Sequence, residues 1–214
     1  MMHERLLTPQ LTISSVKRVH GRATLTLSNG ETLAMPRAML RERPYKSGMP
    51  FDRAAFDQFI IERSYPFALE RAISQLAARA RTEKEIVVYL QKNAYPESTI
   101  ARVMARLHEY GYINDADFAA QWAAARTSKG LGTRRIRMEL RRKGVDQEEI
   151  DQAITAVDDE QMMDGALKAA QKAARGKVLS SPIDRQKILA ALARRGYDFS
   201  IAKKALEHLT DSDS

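Results

Sequence analysis

Three windows of this chain repeat one another in register. "TEKEIVVYLQKNAYPESTIARVM" begins at Thr82, "GTRRIRMELRRKGVDQEEIDQAI" at Gly132 and "IDRQKILAALARRGYDFSIAKKAL" at Ile183. Alignment places Ile86, Ile136 and Ile188 in one column, and Leu90, Leu140 and Leu192 in another. Ala94, Gly144 and Gly196 follow, then Tyr95, Val145 and Tyr197, and later Met104, Ile154 and Leu206, at constant offsets of 50 and 52. Self-similarity of this kind requires stacked supersecondary units, because a single unit cannot bury its own apolar face. Within each window, Ile and Leu four apart mark the buried stripe of a helix. The small residue is placed to end that helix in the left-handed conformation, and an Asp or Pro opens a second one. A longer helix precedes each pair, over about residues 66–79, 115–128 and 159–175. The expected fold is mainly α: three tandem three-helix repeats in an elongated curved stack.

The first fifty residues follow another period. "RATLTLSNGETLAM" alternates Ala23, Leu25 and Leu27 before Asn29-Gly30, and Leu33 and Met35 after it. That pattern predicts a hairpin with a type I′ turn, in which both turn residues have positive φ. "LTISSVKRV", before His20-Gly21, reads as a third strand, so residues 1–50 form a small antiparallel β module whose apolar face needs a neighbour. A linking helix is expected over 51–64, capped by Asp52, with Pro66 opening the next helix. The repeats then occupy 65–113, 114–158 and 159–210, ahead of a polar tail at 211–214.

Charge is distributed unevenly over these units. The formal net charge is +8. From Arg126 to Lys143 there are eight cations (Arg126, Lys129, Arg134, Arg135, Arg137, Arg141, Arg142 and Lys143) and one anion, Glu139. Val145 to Asp164 holds eight carboxylates and no cation. On a helical wheel Ile136 and Leu140 face the core, Arg134, Arg135, Arg141 and Arg142 lie opposite, and Arg137 sits at the margin. Arginine's planar fork suits carboxylate or phosphate. The equivalent helices "EKEIVVYLQK" and "RQKILAALAR" carry far less positive charge, so the fold does not require it. The expectation is a cationic binding face rather than a merely solvated one.

"LHEYGYINDADFAAQWAAARTSKGLGTRRIRMELRRKGV" resembles the central region of the RecX family, bacterial modulators of the RecA recombinase. The resemblance rests on Gly111, Tyr112, Ile113, Asn114 and Asp115, on Phe118-Ala119, on Arg126, on Gly130 or Gly132, and on Ile136 through Gly144. Extended by the repeats, it covers residues 67–209. Ala94 departs from the helix-ending glycine of the other two repeats, and the β module resembles extensions on some members only. Tyr112, Phe118 and Trp122 read as core residues where two units join. The resemblance implies a helical protein without an active site or cofactor. It also implies binding to RecA, especially the RecA–single-stranded DNA filament, with suppression of recombinase, ATPase and co-protease activity in DNA repair and the SOS response.

Other classes find little support. His3, His20, His108 and His208 are scattered, with no metal-ligand spacing. "SKGLGT" lacks the Lys-Ser/Thr of a phosphate loop, and no serine elbow is present. Absence of cysteine excludes disulfides and thiol chemistry. No apolar run approaches the ~18 residues of a membrane span, and the N-terminus lacks a signal-peptide core. A soluble cytoplasmic monomer is expected, with at most weak, sequence-blind DNA affinity of its own. The basic helix offers almost no Asn, Gln or Ser for reading bases. A generic helical scaffold would share the fold and lose only the partner.

Overall fold

The structure, a computed structural model, describes residues 10–212 and divides the chain into two compact units. His3, the start of the β module and the last two residues of the polar tail lie outside the described residues. Among the described residues, unit one comprises 10–81 and 85–113, and unit two 82–84 and 114–212. Among the described residues no helix is long and apolar enough to cross a membrane.

In unit one, strands β1 (Ile13–Val19), β2 (Arg22–Leu27) and β3 (Thr32–Pro36) form an antiparallel sheet in sequence order. Ala23 pairs with Met35 and Leu25 with Leu33. The hairpin exists, but its turn is not type I′. Gly30 alone among the turn residues is left-handed (φ 86°), the Gly30 N–H donates to Leu27, and the Leu27 N–H donates to Glu31. The loop is therefore three residues long, and glycine supplies the one conformation a side chain resists. The buried face (Ile13, Ala23, Leu25, Leu27, Met35) is covered by Met39 from a 3-10 helix at Arg37–Arg41, and by Tyr45, Phe51, Phe56 and Ile60.

Phe56 and Ile60 belong to helix α1 (Arg53–Ala78), which the Asp52 carboxylate caps by accepting from Ala55 N–H at 3.0 Å. This corrects the expected break before Pro66: the proline lies inside one 26-residue helix. A proline there deprives the Glu62 carbonyl of its intrahelical donor. Burial on both sides offsets that loss. The N-terminal half closes the β core, while Ala68 and Ala72 enter the next core with Ile86 and Leu90 of α2 (Glu83–Lys92) and Ile100, Val103 and Leu107 of α3 (Glu97–Glu109). A buried hydroxyl pair, Ser64 with Thr99 at 2.6 Å, ties α1 to α3.

Unit two contains α4 (Asp115–Thr127), α5 (Thr133–Lys143), α6 (Gln147–Thr155), α7 (Asp159–Ala174), α8 (Pro182–Arg194) and α9 (Phe199–Ser212). Residues 211–212, expected in the tail, continue α9. The repeat columns keep their roles: Ile86, Ile136, Ile188, Leu90, Leu140 and Leu192 are all fully buried. Ala94, Gly144 and Gly196 are left-handed at φ 62°, 88° and 89°. Each is followed by an apolar residue whose N–H bonds back to the buried leucine.

One join couples repeats two and three. The N–H groups of Gly132 and Arg134, orphaned at the start of α5, each donate at 3.0 Å to the carbonyls of Arg195 and Gly196 beyond the end of α8. The backbones meet so closely that a Cβ on Gly132 would collide with Gly196 and Tyr197 N, and a Cβ on Gly196 with the Arg135 backbone. Two helix ends with opposite dipole charge thus satisfy each other directly.

Candidate functional site

The basic run folds as α5, with Gly132 before it and Gly144 in the left-handed position after it. A Cβ on Gly144 would also press on the side chain of Lys84. Ile136 and Leu140 face inward as expected, but the eight cations do not share one free surface. Glu139 collects two of them. Its carboxylate accepts from Arg126 Nε at 2.7 Å, Arg135 Nε at 3.2 Å and Trp122 Nε1 at 3.1 Å. The Arg126 guanidinium lies 4.1 Å from the Trp122 ring centre, and Lys143 Nζ lies 4.3 Å from it. Trp122 stacks on buried Phe118 at 5.6 Å, giving a layered set of ring, ring and cation.

Arg137 pairs with Asp151, and Arg134 Nε reaches Asp198 Oδ1 at 2.6 Å. Arg141 bonds the neutral Gln147 side chain at 2.7 and 3.0 Å. Exposure separates the group further. The Arg126 and Arg137 side chains are 26% and 32% exposed, against 43% for Arg135 and 71% for Arg134. The four arginines expected opposite the core are exposed, and Arg137, expected at the margin, is partly covered; what the wheel could not show is that Arg134, Arg135 and Arg137 are paired with the protein's own carboxylates. The acidic neighbours hold Arg126, Arg135 and Arg137 in partly covered pairs. Arg134 is paired too, with Asp198, but stays the most exposed of the four, and Arg141 and Arg142 have no carboxylate partner among the described residues. Met138 lies exposed on the same side of α5 as Arg134, Arg141 and Arg142.

Burial pushes the Glu139 carboxyl up, but the two guanidiniums and the indole N–H outweigh it and hold the group below the usual glutamate range. A depressed folded pKa contributes stability that is complete above the ordinary glutamate value of about 4.3 and is lost as pH falls through the lower folded value. Glu139→Gln should therefore flatten the acid side of the stability–pH curve below about pH 5. Denaturant midpoints measured across that range would show it, and parallel wild-type and variant curves would refute the cluster's role.

Lys129 lies elsewhere. It joins Lys168, Lys172 and Arg195 around a cleft of about 530 Å³ between α4, α7 and the end of α8. Lys168 pairs there with Asp164, Arg195 donates to the Gly130 carbonyl at 3.2 Å, and the buried hydroxyls of Thr127 and Tyr197 have no hydrogen-bond partner among the described residues. The i, i+4 lysines of α7 were visible in the sequence, but their meeting with Lys129 was not. Among the motif residues, Ile113 and Phe118 are buried, and Asn114 caps α4 by accepting from Asp117 N–H at 3.0 Å. Asp115 accepts from Glu83 N–H at 3.0 Å, and Gly111 is left-handed at φ 65°. Tyr112 corrects the core expectation: it is 54% exposed and meets Tyr110 edge-on at 6.1 Å. Trp122 is half-buried. No group of residues suited to hold a metal occurs among the described residues.

Comparison with known proteins extends this picture. Three family profiles match in order: RecX, first three-helix domain, over residues 68–107; RecX, second three-helix domain, over 114–154; and RecX, third three-helix domain, over 159–206. Regulatory protein RecX of Levilactobacillus brevis is 31% identical over 201 residues, spanning 93% of this chain and 76% of that protein. The same-named protein of Mycolicibacterium vanbaalenii is 38% identical over 135 residues, or 59% of this chain and 73% of that one. A solved structure, "Crystal structure of regulatory protein RecX", superposes with a TM-score of 0.64 at 23% identity, covering 92% of this chain and 99% of the other.

Proposed function

This chain belongs to the RecX family, and from that premise we propose that it is a regulatory protein that binds RecA, above all the RecA–single-stranded DNA filament. It restrains the recombinase, ATPase and co-protease activities of that filament in DNA repair and the SOS response. It acts by binding, as a cytoplasmic monomer without cofactor or catalytic residue.

The observation that supports this reading best is the outer side of α5. Helical spacing puts Arg134, Arg141 and Arg142 on the same exposed side of α5 as Met138, with Lys143 at the helix end over Trp122. Three arginines on the same helix face as an exposed thioether suit an acidic protein surface with an apolar spot better than a bare phosphate backbone, to which methionine would contribute nothing. The carboxylates of α6 and the start of α7 discourage wholesale wrapping by a nucleic acid.

Co-sedimentation tests the reading. The protein should pellet with RecA filaments assembled on single-stranded DNA at concentrations where it pellets neither with the strand alone nor without RecA. Equal recovery with the bare strand would replace this function with that of a sequence-blind DNA binder.

A further inference from the structure

We propose that unit one carries a second, separate binding surface, built by the β module against α1 and α2, that holds the phosphates of a single nucleic-acid strand. Two adjoining hollows define it. One, of about 600 Å³, runs from the β1–β2 turn to the end of α2 and is edged by Arg22, Arg71, Lys92 and the Tyr89 ring. The other, of about 510 Å³, lies between the same turn and the 3-10 helix, edged by Arg18, Arg37, Arg41 and again Arg71. His20 belongs to both.

The chemistry of the lining is one-sided. Six cations border the hollows and no carboxylate does. Arg18, Arg22, Arg41, Arg71 and Lys92 form no ion pair among the described residues, and the Arg37 side chain donates to the His20 carbonyl alone, at 3.4 Å. On α5, by contrast, Arg134, Arg135 and Arg137 are each paired with one of the protein's own carboxylates. Like charges gathered without counter-charge repel one another and work against the compact state, so folding gives no reason for them. A polyanion does, since each phosphate neutralised releases counterions.

The surface is also held in shape. Gly21 fits so tightly against Asn93 that a Cβ would overlap the amide, and the Asn93 Nδ2 donates at 2.7 Å to the Tyr89 carbonyl. The Gly21 carbonyl accepts from Arg37 N–H at 2.8 Å. The turn is therefore fixed between α2 and the 3-10 helix, and the cations on either side of it keep their spacing. The half-buried Tyr89 at the rim offers a ring face on which an unpaired base can stack, which favours a single strand over a duplex.

The test uses the whole protein and no RecA, so it is independent of the α5 surface and of the proposed function. Binding of a labelled oligo-dT strand is followed by fluorescence anisotropy over a salt series. Arg18→Glu with Arg41→Glu should weaken binding at least about tenfold at low salt and make the salt dependence shallower by about two contacts. Arg185→Glu with Lys204→Glu, exposed positions of unit two, changes net charge equally and should cost far less. Arg18→Gln with Arg41→Gln repeats the experiment without added acid, and circular dichroism checks that each variant is folded. The proposal falls if the module variants match wild type in affinity and slope, or if the control pair loses as much. It falls also if they lose binding to a poly-glutamate peptide while keeping the strand, which would make this a protein-docking surface.

Discussion

Replacing Gly196 with alanine is expected to destabilise unit two by about 2–5 kcal/mol. Two costs combine. At φ 89° a side chain meets its own backbone, at about 1–2 kcal/mol. The new methyl also enters space held by the Arg135 backbone nitrogen and by its Cβ, which lies 2.5 Å from the added atom, an overpacking cost of about 1–3 kcal/mol. The Arg134 N–H to Gly196 carbonyl bond of 3.0 Å runs through the same place, so relief by separation would expose two helix ends at once. The only tryptophan, Trp122, lies in unit two and reports the transition by fluorescence. Truncating Arg135 to alanine should rescue little, since the clash is with main chain. Ala94→Gly is the converse control: it removes left-handed strain at φ 62° and should stabilise unit one by up to about 1 kcal/mol after the entropic cost of glycine. An unchanged denaturation midpoint for Gly196→Ala would show that the join between repeats two and three is looser than its geometry requires.

Reversing Arg134, Arg141 and Arg142 together to glutamate should weaken binding to RecA filaments by roughly 100-fold near physiological salt, with a folding cost confined to the solvent-exposed Arg134–Asp198 pair, about 0.2–1 kcal/mol. Exposed charge pairs contribute about 0.2–1 kcal/mol each, and reversal turns attraction into repulsion, so three positions total about 3 kcal/mol. The loss should shrink as salt rises, because the contacts are solvated and screened. Reversing Arg126, Arg135 and Arg137 should do the opposite: it sets new carboxylates beside Glu139 and Asp151, lowering stability before it touches binding. Equal filament affinity and equal salt dependence for the outer triple variant would remove α5 from the interface. Comparable binding defects from both sets, with both variants folded, would mean that the division of the arginines has no functional consequence.

That division was only half legible beforehand. The wheel placed Ile136 and Leu140 inside and the arginines outside, because burial on a helix follows a local period. It could not assign partners. Arg126 and Glu139 are 13 positions apart, Arg137 and Asp151 14, and Arg134 and Asp198 64. A guanidinium finds its carboxylate through packing of different helices, which charge counts do not encode. The unit-one hollows were hidden for the same reason: Arg18, Arg41, Arg71 and Lys92 lie in four separate stretches and form no run. Tyr112 was misplaced because the residue after the left-handed helix end packs inward in all three repeat columns, at Tyr95, Val145 and Tyr197, while this one stands beside Tyr110 in solvent.

By itself the sequence determined whatever depends on neighbours along the chain. That includes the three repeats, their buried Ile and Leu columns, the left-handed helix ends, the hairpin, and membership of a family whose motif lies in one continuous stretch. Tertiary structure alone decided the rest. It carried α1 through Pro66 because two cores bury its two halves, it closed the hairpin with a three-residue loop, and it joined α5 to α8 through paired glycines. It also chose which cations are neutralised and which remain exposed. The physical reason is range: helix period and φ preference act over a few residues, whereas burial and Coulomb pairing depend on distances that exist only after the chain has folded.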